Sequence, residues 1–256
     1  MSPLSIVIIV AIVVLVFIIL RYMISDPYTL QGLKSGNTSS TIPASDLETN
    51  GSDVPSSNFA YSVWFYVNDW NYRYGKPKVI FGRMGSKSAD GKGSVDGISG
   101  LDPCPAVVLG AVENNIAISL ACYPGINEQT TSTTTSGSNS VIHTCGVSNI
   151  PIQKWVNLII SIYGRTMDVY IDGKLVRTCL LPGIASVNNN ADIYVTPAGG
   201  FDGWTSRLQY YPNSLNPQDA WNIYTRGYSS FGSMLGDYEL QVSLVENGET
   251  QSSFTI

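Results

Sequence analysis

Apolar positions along this chain follow two regimes. From Leu4 to Leu20 (LSIVIIVAIVVLVFIIL) the only polar side chain is Ser5, and there is no charge. As a helix the run rises about 25 Å, slightly under a hydrocarbon core of about 30 Å. Tyr22, Met23 and Ile24 extend it into the interface. The run is apolar all round and β-branched, which suits lipid rather than one stripe of a soluble core. A cleaved signal peptide would have a shorter apolar stretch, a basic start and a small-residue cleavage site. Here no Lys or Arg precedes the run, and RYMISDPY follows it. Residues 1–24 are therefore predicted to be a retained transmembrane anchor.

Beyond the anchor the pattern changes. Residues 25–57 show no sustained period and read as a linker or extended arm. Strand patterns then begin. Ala60–Val67 (AYSVWFYV) is aromatic and β-branched on both faces, the signature of a central strand. Lys78–Phe81 is a short strand, and Gly82–Leu101 a Gly/Ser/Asp loop. Ala106–Ala111 and Asn115–Tyr123 pair as a hairpin, and Glu128–Ser140 is an exposed Ser/Thr/Gly loop. Trp155–Tyr163, Met167–Ile171 and Lys174–Leu180 follow one another, with Asp172-Gly173 as a type I′ turn. Asp192–Thr196 and Trp204–Tyr211 add strands. Asn216–Tyr224 is a short helix, with Asn216 as its cap and Pro217 in first position. Tyr238–Val245 and Thr250–Ile256 form a hairpin, making residues 229–256 a C-terminal extension.

Composition narrows the classes. Charged residues are 13% of the chain and the net charge is −5, without the basic stripe that a nucleic-acid partner requires. The 15 Tyr, 24 Gly and 13 Pro are those of a turn-rich all-β protein.

The order of these pieces is recognisable. WVNLIISIYGRTMDVYIDGKLV resembles the hairpin of laminin G-like, concanavalin A-type jelly rolls. GGFDGWTSRLQYYPNSLNPQDAWNIYTRG resembles the closing segment of that family, and AYSVWFYVND its early strand. The resemblance covers about residues 58–228. It implies an all-β, concanavalin A-like (laminin G-like) jelly-roll β-sandwich preceded by a single N-terminal transmembrane helix. In it Trp155 would anchor the core at a strand start, Gly200 and Gly203 would allow a tight lead into the next strand, and Leu215 and Trp221 would seal the helix against a sheet edge. Anchor, linker and jelly roll together are similar to membrane-associated virion (minor capsid) proteins of large icosahedral DNA viruses. That likeness places the domain on the capsid-facing, topologically cytosolic side of an internal membrane. The fold alone implies no function, because it hosts lectins, hydrolases and adhesion modules.

The chemistry of hydrolysis is not legible. Glucanases of this fold carry an E-x-D-x-x-E strand, which sets acid and nucleophile on one face, and no such motif occurs. Asp168 and Asp172 flank a short run, but Asp172 belongs to a turn. The single histidine, His143, would have to serve any Ser-His-Asp triad, and with Cys145 it lacks two further zinc ligands. Hence no catalytic residue and no enzyme activity are expected. Cys122 and Cys145 bracket the Ser/Thr loop and are the candidate disulfide, with buried thiols the equal alternative for all four cysteines. The resemblance brings calcium into view, since related lectins bind it with loop carboxylates. The candidate loops are Asp90/Asp96/Asp102 and Asn188–Asp192, though ordinary Asx turns explain both. No other cofactor is implied.

Trp70, Tyr72 and Tyr74 alternate in WNYRY, so an extended strand would put three rings on one face, suited to sugar rings or a protein surface. Arg21 and Lys34 after the anchor favour a cytosolic domain by the positive-inside rule. Sequons at Asn37 and Asn50 and an even cysteine count point outward. The expectation is a membrane-anchored, non-enzymatic interaction protein, tethering an internal membrane to a capsid shell through its jelly roll. The alternative is a cell-surface or lumenal lectin-like carbohydrate-binding or adhesion protein.

Overall fold

The computed structural model describes residues 14–15, 26–47, 57–86, 94–95, 98–99, 101–124, 140–229, 241–246 and 249–255. Its strands, in chain order, are β1 (Thr29–Gln31), β2 (Lys34–Ser35), β3 (Ser40–Ile42), β4 (Phe59–Asp69), β5 (Lys78–Ser86), β6 (Ser94–Val95), β7 (Ile98–Ser99), β8 (Leu101–Leu109), β9 (Asn115–Cys122), β10 (Val141–Ser148), β11 (Trp155–Tyr163), β12 (Thr166–Ile171), β13 (Lys174–Leu180), β14 (Ile193–Val195), β15 (Asp202–Tyr211), β16 (Gln241–Glu246) and β17 (Glu249–Thr255). The chain divides into two units, Tyr28–Tyr228, and Met1–Pro27 with Ser229–Ile256. In the latter, β16 and β17 form an antiparallel hairpin.

The larger unit is an all-β sandwich. One seven-stranded sheet runs β1-β15-β4-β11-β12-β13, with β2 also on β15, and a six-stranded sheet runs β10-β9-β8-β5-β14-β3. Their pairings are antiparallel. Period-2 alternation decides which face of each strand enters the core. Phe59, Tyr61, Val63, Phe65 and Val67 of β4, and Val156, Leu158, Ile160 and Ile162 of β11, meet Phe81, Val107, Leu109, Ile116, Ile118 and Leu120 of the opposite sheet.

β4 and β11 are buried on both faces because a helix covers part of the outer side. Pro217–Thr225 is helical: Asn216 accepts from the Asp219 backbone N–H, and the Asp219 carboxylate accepts from that of Asn216, a capping box. Ala220 and Ile223 pack on Ala60, Ile159, Tyr170 and Tyr211, with Leu215 alongside. Trp221, expected to seal the helix, is instead exposed. The Asp172-Gly173 turn has positive φ at both residues, 50° and 72°, the I′ geometry. The Asp172 carboxylate accepts from the Asn157 backbone N–H and pairs with Lys154 at 3.0 Å.

Several expectations are corrected. The linker does not extend through residues 25–57. β1 and β2 lie on β15, and β3 lies on β14, so residues 28–47 belong to the sandwich and cross from one sheet to the other. Strands this short carry no period of their own; they exist because β15 and β14 offer open edges. Gly36 fits here because it lies against Phe201, with hydrogen bonds to Gly203 and from Phe201. β5 continues to Ser86 and β8 starts at Leu101, inside the span expected as a loop. Trp155 is not in the core but half-exposed on the outer face.

The disulfide is Cys145–Cys179, with Cα atoms 6.2 Å apart, not Cys122–Cys145. In the β9–β10 ladder Cys122 stands opposite Val141 and Cys145 opposite Ile118. That offset of four residues is about 13 Å along the strands, beyond disulfide reach. Cys122 is buried, its thiol directed at the Leu120 carbonyl. The observed bond ties β10, the edge of one sheet, to β13, the edge of the other.

Cations are buried as well, Lys78 and Arg83 of β5 among them. Arg83 of β5 is 3% exposed and donates to the carbonyls of Ala191 and Asn189. Burial raises the Tyr61 and Tyr210 phenols beside it, and Arg83 offsets part of that rise. Burial also pushes the Cys104 thiol up, from 9.0 to about 12.

Of the apolar N-terminal run, Val14 and Leu15 are helical; the rest of it, and the anchor with it, lies outside the described residues. Among the described residues no helix is long and apolar enough to cross a membrane.

Two outcomes follow from this packing. Replacing Cys145 and Cys179 by Ala, which opens a loop of sequence separation 34, is expected to lower stability by about 3–4 kcal/mol in denaturant unfolding. For Cys104, the unfolded thiol loses its proton near 9.0 while the folded one holds it to about 12. The native state therefore binds more protons across that window, and stability falls as pH rises through it. Thermal melts should show that fall, with a shallower slope in Cys104→Ala.

Candidate functional site: an aromatic row on the outer sheet face

On the outer face of the seven-stranded sheet the alternation of β4 turns Trp64 and Tyr66 away from the core. Tyr66 stands opposite Trp155 of β11 on one side and Trp204 of β15 on the other. Three rings from three adjacent strands thus form one cross-strand row, with centroids 5.8 Å apart for Tyr66–Trp155 and 5.7 Å for Tyr66–Trp204. Cross-strand aromatic pairs of this kind contribute about 0.5–1.5 kcal/mol each beyond burial.

The row is extended by the chain leaving the helix. Tyr228 stacks on Trp155 at 4.4 Å and 9°. Trp64 stacks on Tyr224 of the helix at 5.6 Å and 18°, and Tyr224 meets Trp221 at 5.5 Å. A bulge in β15 holds this segment in place. Between Ser206 and Gln209 the register shifts, and Arg207 takes φ 44°. The Arg207 guanidinium then donates to the carbonyls of Arg226 and Gly227, where the helix ends, and Ser206 Oγ donates to the Tyr228 carbonyl at 2.7 Å.

One register step beyond the rings lies a polar row. Asn68 Nδ2 donates to Asp202 Oδ2 at 2.8 Å, and Gln153 Nε2 to the Asn68 carbonyl at 3.4 Å. Trp204, Trp221 and Tyr228 are 44%, 43% and 41% exposed, which is high for rings of their size. The face therefore offers aromatic C–H stacking beside one carboxylate and two amides. Gly203 lets β15 come this close: at φ 149° a Cβ there would collide with the Tyr66 carbonyl oxygen.

The residues singled out in the sequence fall elsewhere. Trp70, Tyr72 and Tyr74 do not alternate on a strand, because β4 ends at Asp69 and the chain turns. Asp69 Oδ1 accepts from the Asn71 N–H, the Tyr74 N–H bonds to the Asn71 carbonyl, and Arg73 has φ 52°. Trp70 donates to the Val112 carbonyl with Lys78 Nζ 4.7 Å from its ring centroid. Tyr72 donates to the Gly199 carbonyl, and Tyr74 is exposed. Of the calcium candidates, Asp90 and Asp96 lie outside the described residues, and Asp102 accepts from Ser140 Oγ. In the second loop Asp192 accepts from the Ala44 N–H and Asn188 from the Asn190 N–H. Among the described residues no group of three His, Cys, Asp or Glu could hold a metal ion. Asn37 is exposed, its side-chain oxygen accepting from Ser35 and Thr38; Asn50 lies outside the described residues.

A groove of about 440 Å³ between β10 and β13, lined by Ile150, Ile171, Val176 and Arg177, is the other concavity of note. There Arg177 is already committed to the Gly146 carbonyl at 2.7 Å.

No protein-family model matches the sequence, and no curated protein matches it. Among solved structures, the chain is similar to the crystal structure of the botulinum neurotoxin serotype D binding domain, with TM-score 0.50 and 12% identity over 78% of this chain and 51% of that one. It is also similar to the serotype D ligand binding domain in complex with N-acetylneuraminic acid, with TM-score 0.48 and 12% identity over 77% and 46%. A third is the receptor binding domain of the C/D mosaic serotype, with TM-score 0.49 and 15% identity over 76% and 41%. The chain spans about half the length of these structures or less. At such identity the first likeness shows the fold alone, a β-sandwich.

Gly203→Ala is expected to force β15 away from Tyr66, costing about 1–3 kcal/mol. Chemical unfolding would register the loss, and near-UV circular dichroism the broken Trp204–Tyr66 contact.

Proposed function

We propose that this chain is a membrane-anchored, non-enzymatic binding protein: a laminin G-like, concanavalin A-type sandwich that binds carbohydrate through its aromatic row, held to a membrane by Leu4–Leu20. The observation that carries the reading is the in-register Trp204–Tyr66–Trp155 row beside Asp202, Asn68 and Gln153. A pyranose has an apolar C–H face and a hydroxyl rim. Ring faces take the first, and the carboxylate and amides exchange hydrogen bonds with the second, which fixes orientation. The neurotoxin domains are described as binding or ligand binding domains, one with N-acetylneuraminic acid; the present reading rests on the residues of this chain.

Asp168 and Asp172, the carboxylates weighed for hydrolysis, have structural employment. Asp168 accepts from Thr178 Oγ1, and Asp172 holds its turn through Asn157 and Lys154. The anchor rests on the sequence of the run; a glycan partner and the Cys145–Cys179 disulfide fit the lumenal or external side, whereas Arg21 and Lys34 favour the cytosolic-topology side that a capsid tether requires. The virion tether is the same architecture with a protein shell as its partner.

A glycan array probed with the full chain in lipid nanodiscs tests this. Binding should appear in the parent and weaken about tenfold or more, equivalent to about 1.4 kcal/mol, in Trp204→Ala and Tyr66→Ala, while Tyr74→Ala binds as the parent does. A folded parent that binds no glycan overturns the carbohydrate reading and leaves a protein shell as the partner.

A further inference from the structure

We propose that the end of the sandwich carrying the β11–β12 turn is a bilayer-contacting surface, its apolar tips entering the interfacial layer of the membrane that holds the anchor. The inference rests on the anchor reading above.

Exposed apolar side chains gather at this end. Tyr163 and Leu180 are 68% and 70% exposed, and Tyr123, Ile142 and Ile184 are exposed as well. The backbone brings them together. Tyr163 stands opposite Thr166, and Thr166 opposite Leu180. The Leu181 N–H bonds to the Arg165 carbonyl and the Tyr123 N–H to that of Ile184. Ile142 stands opposite Ala121, one pair in from Cys122. Both sheets thus contribute to one rim, and Arg165 is exposed within it, its guanidinium held there by donation from Nε and Nη2 to the Leu181 carbonyl, which fixes a positive charge at the level of a lipid phosphate.

The covalent chain says what covers this end. Residues 21–28 are the only connection between Leu20 and β1, eight residues that reach at most about 28 Å. Had the expected linker of residues 25–57 existed, the domain would be free to stand well off the membrane. With β1 built into the sheet, it is not. The chain also arrives at this same end: the Tyr28 ring lies 4.6 Å from that of Tyr211. Tyr211 stands opposite Ala60, and Ala60 opposite Ser161, two residues before Tyr163. From β1 to β11 is three strand spacings, about 15 Å, so the rim lies within the reach of the tether. Apolar and aromatic tips with one exposed cation suit the headgroup boundary.

The test uses the full chain inserted in phosphatidylcholine vesicles, with alkaline carbonate extraction run in parallel. Hydroxyl-radical oxidation is mapped by mass spectrometry, each rate normalised to the same residue in the urea-unfolded chain. Tyr163 and Leu180 should oxidise several-fold more slowly than Tyr74 and Leu33, which are 59% and 56% exposed and lie away from this rim. In Tyr163→Asp/Leu180→Asp the protection of Tyr123 and Ile184 should be lost while the chain stays in the membrane. Retention with Tyr163 and Leu180 oxidised as fast as Tyr74 overturns the rim contact and leaves the anchor standing. Extraction by carbonate overturns both. Protection that rises with the protein-to-lipid ratio marks a contact between copies and overturns the lipid assignment.

Discussion

A sandwich of two sheets has two open sides, and its single apolar layer stays dry only if both are closed. This constraint organises the rest of the molecule. On one side the backbone itself crosses: β1 and β2 complete the edge at β15, and residues 36–39 carry the chain to β3 on the opposite sheet. On the other side Cys145–Cys179 joins the edge strands β10 and β13. Between these closures lies the aromatic and aliphatic layer from Phe59 to Tyr210, in which removing one face from water is worth about 25 cal/mol per Å². The core tolerates Arg83 because its guanidinium finds the carbonyls of Ala191 and Asn189; a buried charge without such partners would be strongly destabilising.

The same geometry explains why the outer face of the seven-stranded sheet is divided. The helix covers the half near Ala60 and Ile159, where small and aliphatic side chains leave room for Ala220 and Ile223. At the other half Tyr66, Trp155 and Trp204 stand too tall for a helix to lie flat, and only Tyr228 stacks there. The β15 bulge connects the two, because Arg207 holds the carbonyls where the helix ends and so sets where Tyr228 falls. A backbone irregularity in one strand thereby positions a ring contributed by a segment some twenty residues later, as bulges beside functional surfaces often do.

The sandwich is also polar along its length. Trp204 and Tyr211 are seven residues apart on β15, about 23 Å. The aromatic row lies toward one end of the strands, and Tyr28, packed on Tyr211, toward the other.

The sequence by itself determined the elements whose signals are local. A run aromatic and β-branched on both faces marked β4, and strand-forming runs on either side of tight turns marked β11 and β12; Asp172-Gly173 marked a turn because both residues accept positive φ; Asn216 and Pro217 marked the start of the helix because its first N–H groups need a cap. The apolar run Leu4–Leu20 is equally plain, as a property of composition. Tertiary structure decided whatever depends on register or on a partner edge. β1, β2 and β3 are strands only because β15 and β14 accept them. WNYRY alternates as a strand does, yet the chain turns there because Asp69 and Asn71 bind the backbone locally. Cys145 took Cys179 rather than its neighbour in sequence because a ladder offset of four residues keeps Cys122 out of reach. Tyr66, Trp155 and Trp204 were each visible, and their union was not: spacing within a strand says which face a side chain takes, while only the pairing of strands says what stands beside it.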